Sequence, residues 1–197
     1  MNIEANFYYL GPLLYRTKVF NEDLIKIFKL NQRSKKLDHR SRLAGHIKKE
    51  HTFEDLDKLR KILDPYLLSF NSVYQEWYGD RIKPYKIESA WINSMVAGEY
   101  NPVHCHVNCN WSAVMFLKIP DKLKKEQEKH VGTASKPGSI SFLAGPVVEN
   151  YINFKTFTPQ NGDLFIFPKN LYHFVEPFKS KGERISLAFN LEYEDNR

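Results

Sequence analysis

The 197-residue sequence has no run of about 18 apolar residues, the length a membrane helix needs. No membrane span is therefore expected. Its first residues, MNIEANFYYLGPLLYR, lack a charged segment followed by an apolar one, so no secretory signal is expected either. Cysteine is scarce: Cys105 and Cys109 are the only two. Two are too few for a disulfide framework, which points to a reducing, cytoplasmic setting. Internal repeats and low-complexity linkers are absent. Charge of one sign is also limited, with 29 Lys+Arg against 23 Asp+Glu, a net +6. The excess cation sits mainly in Arg33–Arg42, Lys58–Lys61 and Lys122–Lys129. Such runs read first as solvated surface, and functionally as attraction for an acidic partner or nucleic acid. With 42% hydrophobic and 26% charged residues, a disordered or fibrous chain is excluded. Aromatic residues are plentiful at 14%, which favours a β-rich core.

The chain divides into a helical front and a strand-rich back. Asn21 can cap a helix over Glu22–Leu30, with acids in its first turn. Arg33–Glu50 has no clear period and reads as a loop. Thr52 opens a better helix, with Asp55 at the capping-box position and Phe53, Leu56, Leu59, Ile62 and Leu63 at helical spacing. Asp64-Pro65 then reads as the cap and first residue of a second helix, which ends near Gly79. From Lys86 the pattern shifts to period two. Strands are expected at Ile87–Val96, Asn110–Ile119, Ser139–Leu143, Asn150–Phe157, Asp163–Phe167, His173–Val175 and Arg184–Glu192. Gly, Pro and Asn turns separate them. Many strands without βαβ alternation suggest a sandwich or jelly roll, with the helices packed on one sheet.

Chemistry-bearing residues concentrate in two stretches. In Gly98–Asn108 (GEYNPVHCHVN), His104 and His106 alternate along an extended segment, so both rings project to one side. Two imidazoles on one face suit a transition metal. Cys105 then points the other way, and a Cys105/Cys109 pair has the spacing of a helical turn inside a strand-like region. In Leu171–Asn190, His173 precedes a proline turn and a strand that opens with Arg184.

These elements resemble the Fe(II)/2-oxoglutarate-dependent dioxygenases of the prolyl-hydroxylase-like branch, and within it a bacterial and phage subfamily of oxygenases. The resemblance rests on Gly98-Glu99-Tyr100, His104-Cys105-His106, His173 and Arg184. It extends to Trp91-x-Asn93, Ser112–Leu117, Gly162–Pro168 and Arg184–Asn190, and covers about residues 85–192. It implies an α+β, mainly β fold: a double-stranded β-helix (jelly roll, cupin-like) at 85–197. Residues 1–84 would be a helical support region of the same domain. It also implies Fe(II) and 2-oxoglutarate as cofactors, with ascorbate as an accompanying reductant. His104 and His173 carry over as iron ligands, and Arg184 as the fork that pairs with the distal carboxylate of 2-oxoglutarate. Ser186, on the same side of its strand, and Asn93, on the neighbouring strand, could donate to the same cosubstrate. Where the family has Asp, this chain has His106. His106 could be the third ligand, water could fill the position, or the register could shift to place Asn108 there.

The implied activity is hydroxylation of a protein residue, with proline first, releasing succinate and carbon dioxide. Two other readings stand beside it. One is the same chemistry on a small molecule or nucleic-acid base; the other is a non-catalytic cupin-like binding module. An open groove suits a polypeptide, a small closed pocket suits a small molecule, and a binding module predicts histidines that fail to converge. The loop Ser34–His51 could form a substrate lid, and Lys122–Lys129 reads as an exposed hairpin loop near the site mouth.

Overall fold

In the computed structural model, which describes residues 3–9, 11–33, 35–79, 85–145 and 154–193, two antiparallel sheets face each other. The larger contains β1 (Ala5–Tyr9), β2 (Leu13–Lys18), β3 (Glu50–Thr52), β4 (Tyr85–Met95), β6 (Trp111–Lys118), β9 (Asp163–Pro168) and β11 (Arg184–Tyr193). Its spatial order is β1-β2-β9-β6-β11-β4-β3. The smaller sheet contains β5 (Asn101–His104), β7 (Ile140–Leu143), β8 (Phe154–Phe157) and β10 (Tyr172–Val175), in the order β5-β10-β7-β8. This is the expected jelly-roll arrangement, mainly β, with helices against one sheet.

Period-two alternation explains why the central strands read as nearly continuous apolar runs: both their faces are buried. On β9, Leu164 and Ile166 pack under the helices, while Phe165 and Phe167 point into the space between the sheets. On β6, Ala113 and Met115 face the helices and Phe116 faces the other sheet. The inter-sheet core is aromatic. Phe142 lies 5.0 Å from Phe167 and 5.7 Å from Phe165, ring to ring.

Helices α1 (Asn21–Arg33) and α2 (Leu56–Tyr78) cover the outer face of the larger sheet. The sequence reading breaks α2 at Asp64-Pro65, but it is one helix with Pro65 inside it. Pro65 has no N–H for the Lys61 carbonyl, a loss of about 3 kcal/mol. The continuous stripe Leu59, Leu63, Tyr66, Leu67, Phe70 and Tyr74 outweighs it, because all six are buried against the sheet. Thr52 does not open this helix; it ends β3. The first helix starts at Asn21 and runs to Arg33, beyond Leu30.

The front of the chain is not solely helical. Hairpin β1–β2 and strand β3 join the larger sheet, β2 beside β9 and β3 beside β4. Leu13, Leu14 and Tyr15 are all buried, on both faces, so they show no alternation from which a strand could be read. The run Lys122–Lys129 is not a hairpin loop either. It lies in α3 (Asp121–Glu128) and the residue that ends it, with Leu123 buried in the inter-sheet core. The Glu126 carboxylate accepts from the N–H groups of Lys179 and Ser180. Of the strand expected at 150–157, residues 154–157 form β8; the rest, like Pro146 and Ser34, lie outside the described residues.

Candidate active site

The β10·β5 pairing sets His173 directly opposite His104. Two residues past His104 the backbone N–H of His106 donates to the Lys169 carbonyl at 2.7 Å, which holds the third imidazole beside the other two. Ring centroids are 4.2 Å apart for His104 and His173, 5.3 Å for His104 and His106, and 5.1 Å for His106 and His173. One ring nitrogen from each of the three lies within 4.8 Å of the others.

The backbone fixes the tautomers. Nδ1 of His104 lies 2.7 Å from the Pro102 carbonyl, and Nδ1 of His173 lies 3.0 Å from the Leu171 carbonyl. Carbonyls only accept, so Nδ1 carries the proton in both rings and Nε2 keeps its lone pair. Burial favours the uncharged form throughout. It lowers the pKa of His104, lowers that of His173 well below the usual range, and brings that of His106 down to about 4, with nearby imidazoles adding to the effect at His106 and His173. The Nε2 atoms of His106 and His173 face each other at 3.3 Å. Since His173 Nε2 only accepts, that contact needs a proton on His106 Nε2 or a cation between the two nitrogens. Three neutral imidazole nitrogens converging on one point fit a transition-metal ion.

Cys105 and Cys109 are both free thiols outside this cluster, and burial pushes the Cys109 thiol up to about 11. Asn108 follows in a left-handed turn, at φ 56°, and lines the same cavity.

Arg184 opens β11 and is 2% exposed. Its Nη1 donates to the Gly138 carbonyl at 3.0 Å, and the guanidinium carbon lies 5.3 Å from the centre of the Phe116 ring. Its Nε has no hydrogen-bond partner, and no carboxylate of the described residues forms an ion pair with it. Burial lowers its pKa to about 10, so it stays charged at neutral pH. An uncompensated buried cation is costly unless an anion arrives to meet it. Ser186 lies two residues on, on the same face, and the β11·β4 register sets it opposite Asn93. The Asn93 side-chain oxygen is buried and also lacks a partner among the described residues.

All six sequence-derived residues border one cavity of about 560 Å³: His104, His106, His173, Arg184, Ser186 and Asn93. The segment read as a lid supplies part of its wall. His39 stacks on Trp91 at 5.8 Å, and His46 bridges to Tyr100 with the two rings stacked at 4.7 Å. Residues of the Lys122–Lys129 run do not border it; they line a separate surface depression with Lys179 and Ser180. Sequence reasoning missed Glu50 and Asn101, which also border the cavity. No motif marks Glu50, because only strand pairing brings it to this face.

Residues 89–190, more than half of the chain, match the family model described as "Putative 2OG-Fe(II) oxygenase". A search among curated proteins finds no match. Solved structures with the same fold include a Pseudomonas putida prolyl-4-hydroxylase at 13% identity, TM-score 0.55, over 92% of both chains. A viral collagen prolyl hydroxylase from Paramecium Bursaria Chlorella virus-1, solved with 2-oxoglutarate, has 14% identity and TM-score 0.54 over 90% of this chain and 94% of that one. HygX from Streptomyces hygroscopicus, solved with nickel, 2-oxoglutarate and hygromycin B, has 11% identity and TM-score 0.57 over 92% of this chain and 83% of that one. With the family match over the β-helix and a cavity that offers three imidazoles and a buried, anion-seeking arginine, the chain belongs to the 2OG-Fe(II) oxygenase family and is a 2-oxoglutarate-dependent oxygenase that uses Fe(II) and 2-oxoglutarate.

Proposed function

We propose that this oxygenase hydroxylates a residue of a protein or peptide, with proline as the leading target. His104, His106 and His173 hold the iron, and Arg184, with Ser186 and Asn93, holds the distal carboxylate of 2-oxoglutarate. The observation that carries the cosubstrate assignment is the buried Arg184 guanidinium, with an unpartnered Nε, on the wall of the cavity that the three imidazoles share. The proline assignment draws on the two prolyl hydroxylases among the structures of like fold.

Each residue has a physical task. The carbonyls of Pro102 and Leu171 fix two imidazoles with Nε2 free, so little reorganisation is needed on metal binding. The Arg184 fork matches a carboxylate bidentately, and its burial strengthens that pairing. Phe116, Phe142 and Phe167 exclude water around it and His173. With its cofactors bound, the centre would use dioxygen to couple oxidative decarboxylation of 2-oxoglutarate, to succinate and carbon dioxide, with insertion of the other oxygen atom into a substrate C–H bond. Residues 1–84 act as a support region for the 85–197 core, with α1 and α2 packed on the larger sheet and β1, β2 and β3 extending it. The two free cysteines agree with a cytoplasmic setting.

A second reading keeps the chemistry and changes the substrate to a small molecule. The cavity of about 560 Å³ has the size of a small-ligand site. The test incubates the iron-loaded enzyme with 2-oxoglutarate and a library of proline-containing peptides, following succinate release and peptide mass. A gain of one oxygen atom on proline, matched by succinate, is expected. Succinate release stimulated only by small molecules would overturn the polypeptide reading.

A further inference from the structure

Away from the imidazoles, the cavity has acceptors with nothing to accept from. Glu50 on β3 is 3% exposed, and neither oxygen of its carboxyl group has a hydrogen-bond partner among the described residues. Strand register sets Glu50 opposite Asn93 and Asn93 opposite Ser186, so the three side chains form one row on the cavity face of the larger sheet. Asn101 approaches from the smaller sheet, and its side-chain oxygen also lacks a partner among the described residues. The two groups meet under Gly45. A Cβ there would lie 2.7 Å from Glu50 Oε1 and 3.3 Å from Asn101 Oδ1, so only glycine leaves both oxygens their present space.

Nothing already assigned to the cavity answers these oxygens. 2-Oxoglutarate is a dianion with acceptor oxygens only and brings no donor to Glu50. The imidazole cluster has its own ligand, the metal. Other charged groups near Glu50 do not meet it either. Arg40 is engaged with the Asp38 carboxylate, and the Glu99 carboxylate accepts from the N–H groups of Lys48 and Val96. Burial, followed by repulsion from Glu99, pushes the Glu50 carboxyl up to about 7. Buried acceptors left unmet are costly, and donors on a ligand would meet such groups in a ligand cavity.

We propose that Glu50, with Asn101 Oδ1, binds a cationic nitrogen of the substrate, an ammonium or guanidinium. The substrate class is thus a molecule or polypeptide segment bearing a basic group. This inference rests on the reading that the same cavity holds iron and 2-oxoglutarate.

The test uses wild type and Glu50→Gln, which keeps side-chain volume. Each protein is loaded anaerobically with Fe(II) and 2-oxoglutarate, with the visible charge-transfer band of the chelate recording the loading. Calorimetry then measures binding of N-acetyl-arginine amide against its neutral isostere N-acetyl-citrulline amide, and of N-acetyl-lysine amide against N-acetyl-norleucine amide. Wild type is expected to prefer at least one cation over its neutral counterpart by roughly tenfold to hundredfold, a preference lost in Glu50→Gln. Asn101→Ala, as a second variant, reduces the preference by a smaller factor. A normal band with cations and isosteres bound alike, with no cation bound, or with the preference intact in Glu50→Gln overturns this inference alone. Absence of the band in wild type refutes the cofactor reading beneath it, and this inference with it.

Discussion

Replacing Arg184 with methionine is the sharpest perturbation the site offers. Wild-type Arg184 is a buried cation whose partners are one carbonyl and one aromatic face. Bidentate capture of a carboxylate adds two charge-assisted hydrogen bonds, each about 1.5–3 kcal/mol. Losing both weakens 2-oxoglutarate by about two to four orders of magnitude, at 1.4 kcal/mol per tenfold. Methionine keeps much of the volume and removes the buried charge, so the variant without ligand is expected to melt no lower than wild type. The assay is thermal unfolding with Fe(II) under nitrogen, with and without 2-oxoglutarate at one hundred times the wild-type Kd. Wild type gains about 2.7 kcal/mol from saturation, which for a chain of this length raises Tm by roughly 5–11 °C. The variant, at best half saturated, rises by less than about 2 °C. An equal rise in both proteins would refute the assignment of Arg184 to the cosubstrate. A collapse of the variant without ligand would refute the argument that its charge is uncompensated.

Three further outcomes are expected. His104→Ala and His173→Ala each remove one imidazole nitrogen and lower Fe(II) affinity at least about tenfold by anaerobic equilibrium dialysis; His106→Asp, which offers a carboxylate, retains binding, and loss of binding in that variant would place a steric demand on the third ligand. His51 is held near neutral: burial, then the Lys36 ammonium 3.0 Å away, lowers its pKa from 6.5 to about 4. The unfolded chain therefore takes up a proton that the folded protein refuses, so stability falls as pH drops from 6.5 towards 4, and this part of the fall in urea midpoint disappears in His51→Gln. Pro65→Ala restores the missing helical donor and stabilises by about 2 kcal/mol, the helix gain less the added freedom of the unfolded chain, as read from a denaturant titration.

The candidate site was legible because its groups lie on short, strongly patterned segments. His104 and His106 alternate, the Asp163–Pro168 run leads directly to His173, and Arg184 opens its strand. Errors arose where local signal and tertiary context disagree. Pro65 is a strong local breaker, and the six-residue stripe around it overrides the break. Leu13, Leu14 and Tyr15 are buried on two faces and so lack the alternation that identifies a half-exposed strand. The charged run Lys122–Lys129 offers little hydrophobic periodicity, and α3 is held by the single buried anchor Leu123 and the Gln127 side chain, which donates to the Pro137 carbonyl.

The sequence by itself determined the strand-rich back, the two histidine-bearing elements and the arginine that follows them, because spacing along a strand dictates which side chains share a face. It also set the charge balance of the chain. Only the tertiary structure showed what keeps His106 on the side that alternation gives it: beyond the strand end its backbone N–H donates to the Lys169 carbonyl and holds its ring beside His173. Only the tertiary structure showed Arg184 to be a buried cation without a counter-anion among the described residues, since burial depends on which strands lie on either side. Glu50 is the clearest case. Its neighbours in sequence are Lys49 and His51, but its surroundings are set by Asn93, which strand pairing brings from a distant part of the chain, and by Asn101, which the facing sheet brings, with Gly45 close over both.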